Sequence, residues 1–179
     1  VDSFINWKAE PIPLTQSERV PSQIQSKALG IINRVEENRI TKDYLPKKEK
    51  GEIYQRYKLS EIDLSKGDWL ILTRTNPLLK PIPAFLKRKG FFFQTADGKS
   101  MGKALFEDVQ NWNRLKKGET LPEIQETRVR ERIKEKEINY KLEWYDAFTN
   151  VADTKKEYLR SMLMNGEDLS KEPRIKVST

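Results

Sequence analysis

The sequence predicts an α/β fold: a mostly parallel sheet flanked by helices, with a small all-helical insertion before the last strand. Three observations predict it. The first half of the 179 residues alternates short apolar runs with helix-period patterns. Between Glu119 and about Asn165 no strand pattern occurs, while Val129, Ile133, Ile138, Leu142, Tyr145 and Phe148 recur at helical spacings among dense charges. A two-residue rhythm then returns at "RIKVST", where Ile175 and Val177 alternate with Arg174 and Lys176.

Taken in order, "VDSFINWKAEPIPL" opens with Asp2 as a cap for one helical turn carrying Phe4, Ile5 and Trp7. "IPLT" (12–15) reads as a short strand. "PSQIQSKALGIINRVEE" reads as a helix, with Pro21 in its first turn and Ile24, Ala28, Ile31, Ile32 and Val35 on one face. A charged loop containing "LPKKEKGE" leads to "EIYQRYKL", a strand, and "LSKGD" turns into "WLILTR". The unbroken run Trp69-Leu70-Ile71-Leu72 suits a central strand buried on both sides. Pro77, Pro81 and Pro83 make the following turns irregular, so regular helix is expected only from about Pro81 to Gly90. "FFFQT" is then a strand and "GKALFEDVQNWNRLKKG" a helix. Domain organisation follows: residues 1–118 with 173–179 form an incomplete core domain, and 119–172 form a helical insertion. Val1 is not a methionine and the chain stops on a strand, so it is expected to be an excised piece of a longer protein.

Composition narrows the chemistry. The chain has no cysteine and no histidine, which excludes disulfides, cysteine-rich zinc sites, histidine-ligated metals and a serine–histidine triad within it. No apolar run approaches twenty residues, so no membrane span is expected and cytoplasmic is the default location. The net charge of +7 points to an anionic partner. Its distribution says more: residues 119–172 carry 13 acids and 10 bases, and the remainder 14 acids and 24 bases. The basic surface therefore belongs to the core domain.

Several stretches have chemistry to offer. "DGKS" (97–100) ends like a phosphate-binding P-loop, but the glycine required five positions before Gly98 is Phe93, so Lys99 sits on an ordinary turn that can still meet a nucleic-acid phosphate. "LTQSERVP" places Arg19 between a strand end and a helix start, suited either to a phosphate or to a local salt bridge with Glu18. "LILTRTNP" puts Arg74, Thr75 and Asn76 at the carboxyl end of a strand, where open α/β sheets bind ligands. They offer donors to a sugar–phosphate backbone; alternatively, Thr75 and Asn76 only cap the helix behind Pro77. Lys47, Lys48 and Lys50, and Lys87, Arg88 and Lys89, are basic clusters that either track phosphates or line solvated faces. Trp69 and Phe91 to Phe93 read as core; Trp112 and Trp144 are open between core and base stacking.

In order and spacing, "LTQSERVPSQI", "WLILTRTNPLLKPIPAFLKRKGFFFQ" and "RIKVST" resemble the second RecA-like domain of UvrD-like superfamily 1 DNA helicases. The middle stretch resembles the family over about twenty-five residues: strand, R-T-N, a helix ending in a basic run and glycine, then an aromatic strand. "LTQSERVP" is similar to the family's motif IV, which implies ATP contact by Gln16 and Arg19, with Arg19 as the catalytic arginine on the γ-phosphate. Where the family has asparagine and an aromatic before that arginine, this chain has Ser17 and Glu18. The resemblance implies that Arg74, Thr75 and Asn76 touch single-stranded DNA and that Ser178 and Thr179 begin motif V, with Thr179 in the DNA grip; Lys99 joins the expected DNA contacts from its turn alone.

What the resemblance implies is a RecA-like core in a parent ATP-dependent DNA helicase that unwinds duplex DNA. ATP and magnesium would be bound mainly by a first RecA-like domain outside this chain. The fragment alone is expected to be inactive. Two other readings stand beside it, a non-enzymatic nucleic-acid-binding adaptor domain and an inactivated helicase-like domain of a nuclease complex.

Overall fold

A computed structural model describes residues 15–35, 44–133 and 138–179. It is a mixed α/β structure with small parallel and mixed sheets, in two compact units, Val1–Ile62 and Asp63–Thr179. The expected turn at 2–7 and all but the last residue of the expected strand at 12–15 lie outside the described residues.

In the first unit, strand β1 (Gln16–Pro21) runs directly into helix α1 (Ser22–Ile32) and pairs in parallel with β2 (Leu45–Lys47). Pro21 at the helix N-cap fixes an extended φ of −63° and ends the strand. The first α1 amides are satisfied by the charged loop: Ser22 N donates to Glu49 O at 3.2 Å and Gln23 N to Lys50 O at 3.0 Å. This corrects the sequence reading twice. "LPK" is the strand that pairs, and "EIYQRYKL" forms none; Ile53, Tyr54 and Tyr57 stay exposed and only a single 3-10 turn, Leu59–Glu61, follows. Alternation there supplies a strand-like pattern, but among the described residues no strand pairs with it, and Tyr57 N donates instead to the Glu61 carboxylate at 3.3 Å. No α1 residue is buried, and Ile31 is 59 % exposed.

The second unit is built on a four-stranded sheet in the order β3-β6-β4-β5, from β3 (Trp69–Leu72), β4 (Phe93–Thr95), β5 (Gly98–Lys99) and β6 (Ile175–Ser178). The pairs β3–β6 and β4–β6 are parallel, and β4–β5 is an antiparallel hairpin around Ala96 and Asp97. β3 is therefore an edge strand, a correction to the expected central one: Leu70 and Leu72 are 62 % and 65 % exposed. The central strand is β6, whose Ile175 and Val177 are buried. Register explains the two faces. Trp69, Ile175 and Phe93 share a row on the inner face, whereas Leu70, Lys176, Gln94 and Lys99 share the next row on the outer face.

Helices α2 (Asn76–Leu79), α3 (Pro81–Arg88) and α4 (Lys103–Lys116) follow where the prolines and glycines allow. α3 starts at Pro81 and stops before Gly90, whose φ of +69° closes the helix and whose missing side chain lets Ser161 approach. Residues 119–172 supply α5 (Glu123–Glu131), α6 (Trp144–Ala147) and α7 (Asp153–Met164), lying in the chain between α4 and β6. They pack onto the core rather than standing off it. Trp112 of α4 is fully buried, stacks on Tyr140 at 5.5 Å, meets Phe148 edge-on at 5.9 Å and donates from Nε1 to Leu142 O at 3.3 Å. Trp144 is 5 % exposed, so both open tryptophans are core. Among the described residues no helix is long and apolar enough to cross a membrane.

Candidate functional site

The parallel pairing of β3 with β6 assembles the strongest candidate. Leu72 is in register with Ser178, and Thr73 N donates to Ser178 O at 3.0 Å, so both strands end at one level. Adjacent strands lie about 4.8 Å apart, which brings the segment Arg74-Thr75-Asn76 beside Thr179 at the carboxyl edge of the sheet. Arg74 lies in a bend, Thr75 holds the N-cap of α2 with extended φ −145° and ψ 154°, and Asn76 opens the helix.

The capping alternative is resolved for Thr75. It occupies the cap position, but its side chain makes no cap hydrogen bond; the last-turn amides of Leu78 and Leu79 reach only its carbonyl. Thr73 Oγ1 donates to the same carbonyl at 3.3 Å. Arg74, Thr75, Asn76 and Thr179 are exposed, and among the described residues none of the four side chains has a hydrogen bond or ion pair. A guanidinium, a hydroxyl and an amide thus stand with unused donors at the edge where open α/β sheets bind ligands.

Lys99 is not part of this group. It sits on β5, at the opposite edge, three inter-strand spacings or about 14 Å from β3. Its Nζ pairs with Glu172 at 2.7 Å. The "DGKS" stretch is accordingly a β-hairpin, with Gly98 at φ +122° and Asp97 N donating to Thr95 Oγ1 at 3.3 Å.

Gln16 and Arg19 belong to the first unit. Gln16 opens β1 and its amide nitrogen donates to Pro46 O at 3.2 Å, tying the two strands of that sheet together. Arg19 lies near the carboxyl end of β1, is exposed, and forms no ion pair with Glu18 or any other described residue. Its guanidinium is uncommitted, which fits an anionic group. Of the basic clusters, Lys47 pairs with Glu49 at 2.9 Å.

A second concavity was not legible in the sequence. A cleft of about 900 Å³ lies in the second unit between the end of α3, the start of α4 and the start of α7. Lys87 and Arg88 from the noted basic run line it, together with Arg132 and Lys155 from the insertion. At one wall Tyr158 donates to Phe91 O at 2.6 Å, and its hydroxyl lies 2.7 Å from Ser100 Oγ. Burial pushes the Tyr158 phenol up to about 12, with the Ser100 hydrogen bond opposing it.

Among the described residues no group of acidic side chains could hold a metal ion. Comparison with known protein families, with curated proteins and with solved structures finds no match to this chain.

Proposed function

We propose that the chain is part of the second RecA-like domain of a UvrD-like superfamily 1 DNA helicase, supplying half of a single-stranded DNA grip and an arginine for ATP hydrolysis. One observation carries this reading: the β3–β6 register, which aligns Arg74, Thr75 and Asn76 with Thr179 at one carboxyl edge, with side chains unengaged. Arg74 holds a phosphate by charge-assisted hydrogen bonds, while Thr75, Asn76 and Thr179 contact the sugar–phosphate backbone without reading bases. Arg19, uncommitted at the end of β1, neutralises charge on a phosphoryl group. Among the described residues no group of acidic side chains fits magnesium, and Phe93 stands where a P-loop needs glycine. In this reading those parts belong to another domain.

Two experiments test it. Dye-labelled oligo-dT binds the chain with an affinity that falls steeply with salt and varies little with base sequence, and Arg74→Ala weakens binding about tenfold, the loss of one charged hydrogen bond. Wild-type affinity in that variant rejects the edge as the grip. The chain alone turns over no ATP; robust DNA-stimulated hydrolysis rejects the assignment. In a protein carrying both RecA-like domains, Arg19→Ala lowers kcat about a thousandfold and leaves DNA affinity intact.

A further inference from the structure

We propose that the cleft between α3, α4 and α7 is a second phosphate site on the DNA path, continuing the strand held at the carboxyl edge; this rests on the nucleic-acid reading above. Four cations line the cleft, Lys87, Arg88, Arg132 and Lys155, against one carboxylate, Glu157. Arg132 is committed to Asp108, but Lys87, Arg88 and Lys155 have no acidic partner among the described residues. Local structure explains only part of this. Lys87 and Arg88 occupy the last turn of α3, where cations complement the helix dipole. Lys155 lies in the first turn of α7, where the dipole opposes a cation, and its like-charged neighbours across the cleft oppose it further.

Three exposed, unpaired cations converging on one concavity raise its potential and draw in an anion. The Ser100 and Tyr158 hydroxyls add polar groups to the lining. Size and position favour a nucleic-acid backbone over a small free anion. The cleft opens where the end of α3 meets the starts of α4 and α7, and α3, eight residues and about 12 Å long, leads from the α2 end of the carboxyl edge to Lys87 and Arg88. That length spans only a few phosphates of one strand. The DNA therefore leaves Arg74, follows α3, and has its next phosphates neutralised in the cleft.

The test uses the whole chain and oligo-dT anisotropy over a salt series. The variant Lys87→Ala/Arg88→Ala/Lys155→Ala is expected to bind at least about tenfold more weakly, with the slope of log affinity against log salt flattened by about 2, the loss of three phosphate contacts. The control Lys66→Ala/Lys117→Ala/Lys141→Ala removes the same charge elsewhere and is expected to change affinity less than about twofold. Unchanged melting temperatures show that these exposed replacements leave the fold intact. If the cleft variant matches the control while Arg74→Ala weakens binding, the cleft proposal is overturned and the edge reading survives. If the cleft variant alone weakens binding, the cleft stands and the edge reading fails; if the wild type binds no oligonucleotide, both fail. Binding of inorganic tripolyphosphate that is lost in the cleft variant, without oligo-dT binding, identifies a free-phosphate site and overturns the DNA assignment.

Discussion

Asp108 is the place to break the joint between the core and residues 119–172. It is fully buried on α4, yet its carboxylate meets two arginines of the next helix and its end: Arg132 Nε donates to Oδ2 at 2.8 Å, and Arg128 Nη2 lies 2.8 Å from Oδ1 without hydrogen-bond alignment. Arg128 also reaches Ala104 O at 3.1 Å and Glu107 at 3.4 Å, so α5 is fastened to α4 at several points. Removing one member of a buried pair costs about 3–5 kcal/mol, because the remaining charge stays desolvated. Here the arginine side chains keep 34 % and 33 % of their exposure, and water can recover part of that loss. Asp108→Ala is therefore expected at the low end, about 3 kcal/mol, or a melting temperature lower by about 10 °C for a chain of this size. Asp108→Asn keeps an acceptor for Arg132 and loses about half as much. Thermal unfolding followed by far-ultraviolet circular dichroism reads both. A shift below about 3 °C for Asp108→Ala refutes the claim that this carboxylate fastens the helices.

The other predictions concern the packing around α7. Gly90→Ala forces a left-handed φ of +69° on a side chain whose Cβ would lie 2.7 Å from the Ser161 backbone, and is expected to cost at least about 2 kcal/mol in chemical denaturation; a neutral result excludes the close approach. Tyr158 has a folded pKa raised from 10.0 to about 12, so its contribution is fully present below pH 10. As pH rises from 10 to 12 the unfolded phenol ionises first, and about 2–3 kcal/mol of stability is lost, measurable by denaturation across that window. Tyr158→Phe abolishes that slope. At neutral pH it costs about 1–2 kcal/mol, because Phe91 O and Ser100 lose a partner.

Local chemistry made the helices readable. Pro21 and Pro81 mark starts, Gly90 and Gly118 mark stops, and the periods between them are those of α1, α3 and α4. The alternation at Ile175 and Val177 likewise reads as one buried face. Neighbour number was not readable. "WLIL" is as apolar as a central strand, but with β6 on one side only it is an edge, and Leu70 and Leu72 face outward. "EIYQRYKL" has strand periodicity but no strand partner among the described residues, while "LPK", charged and short, finds one in β1. For the candidate site, strand-end position sufficed to gather Arg74, Thr75, Asn76 and Thr179, because parallel strands end together. The hairpin that carries Lys99 to the other edge was not legible, and the cleft stayed hidden because Lys155 joins Lys87 in its lining only through the packing of α7 on α3.

The position of β6 has a kinetic consequence. β3 and β4 do not pair with each other; both wait for a strand roughly a hundred residues after Trp69. Closing so long a loop costs about 4 kcal/mol of chain entropy before the sheet returns any contact. During synthesis Phe92 and Phe93 are made long before Ile175 emerges to cover their strand, leaving a sticky β4–β5 hairpin exposed to other chains. The keystone strand is thus laid down after both strands it joins, and anything that delays it lengthens the interval in which this chain is prone to aggregate.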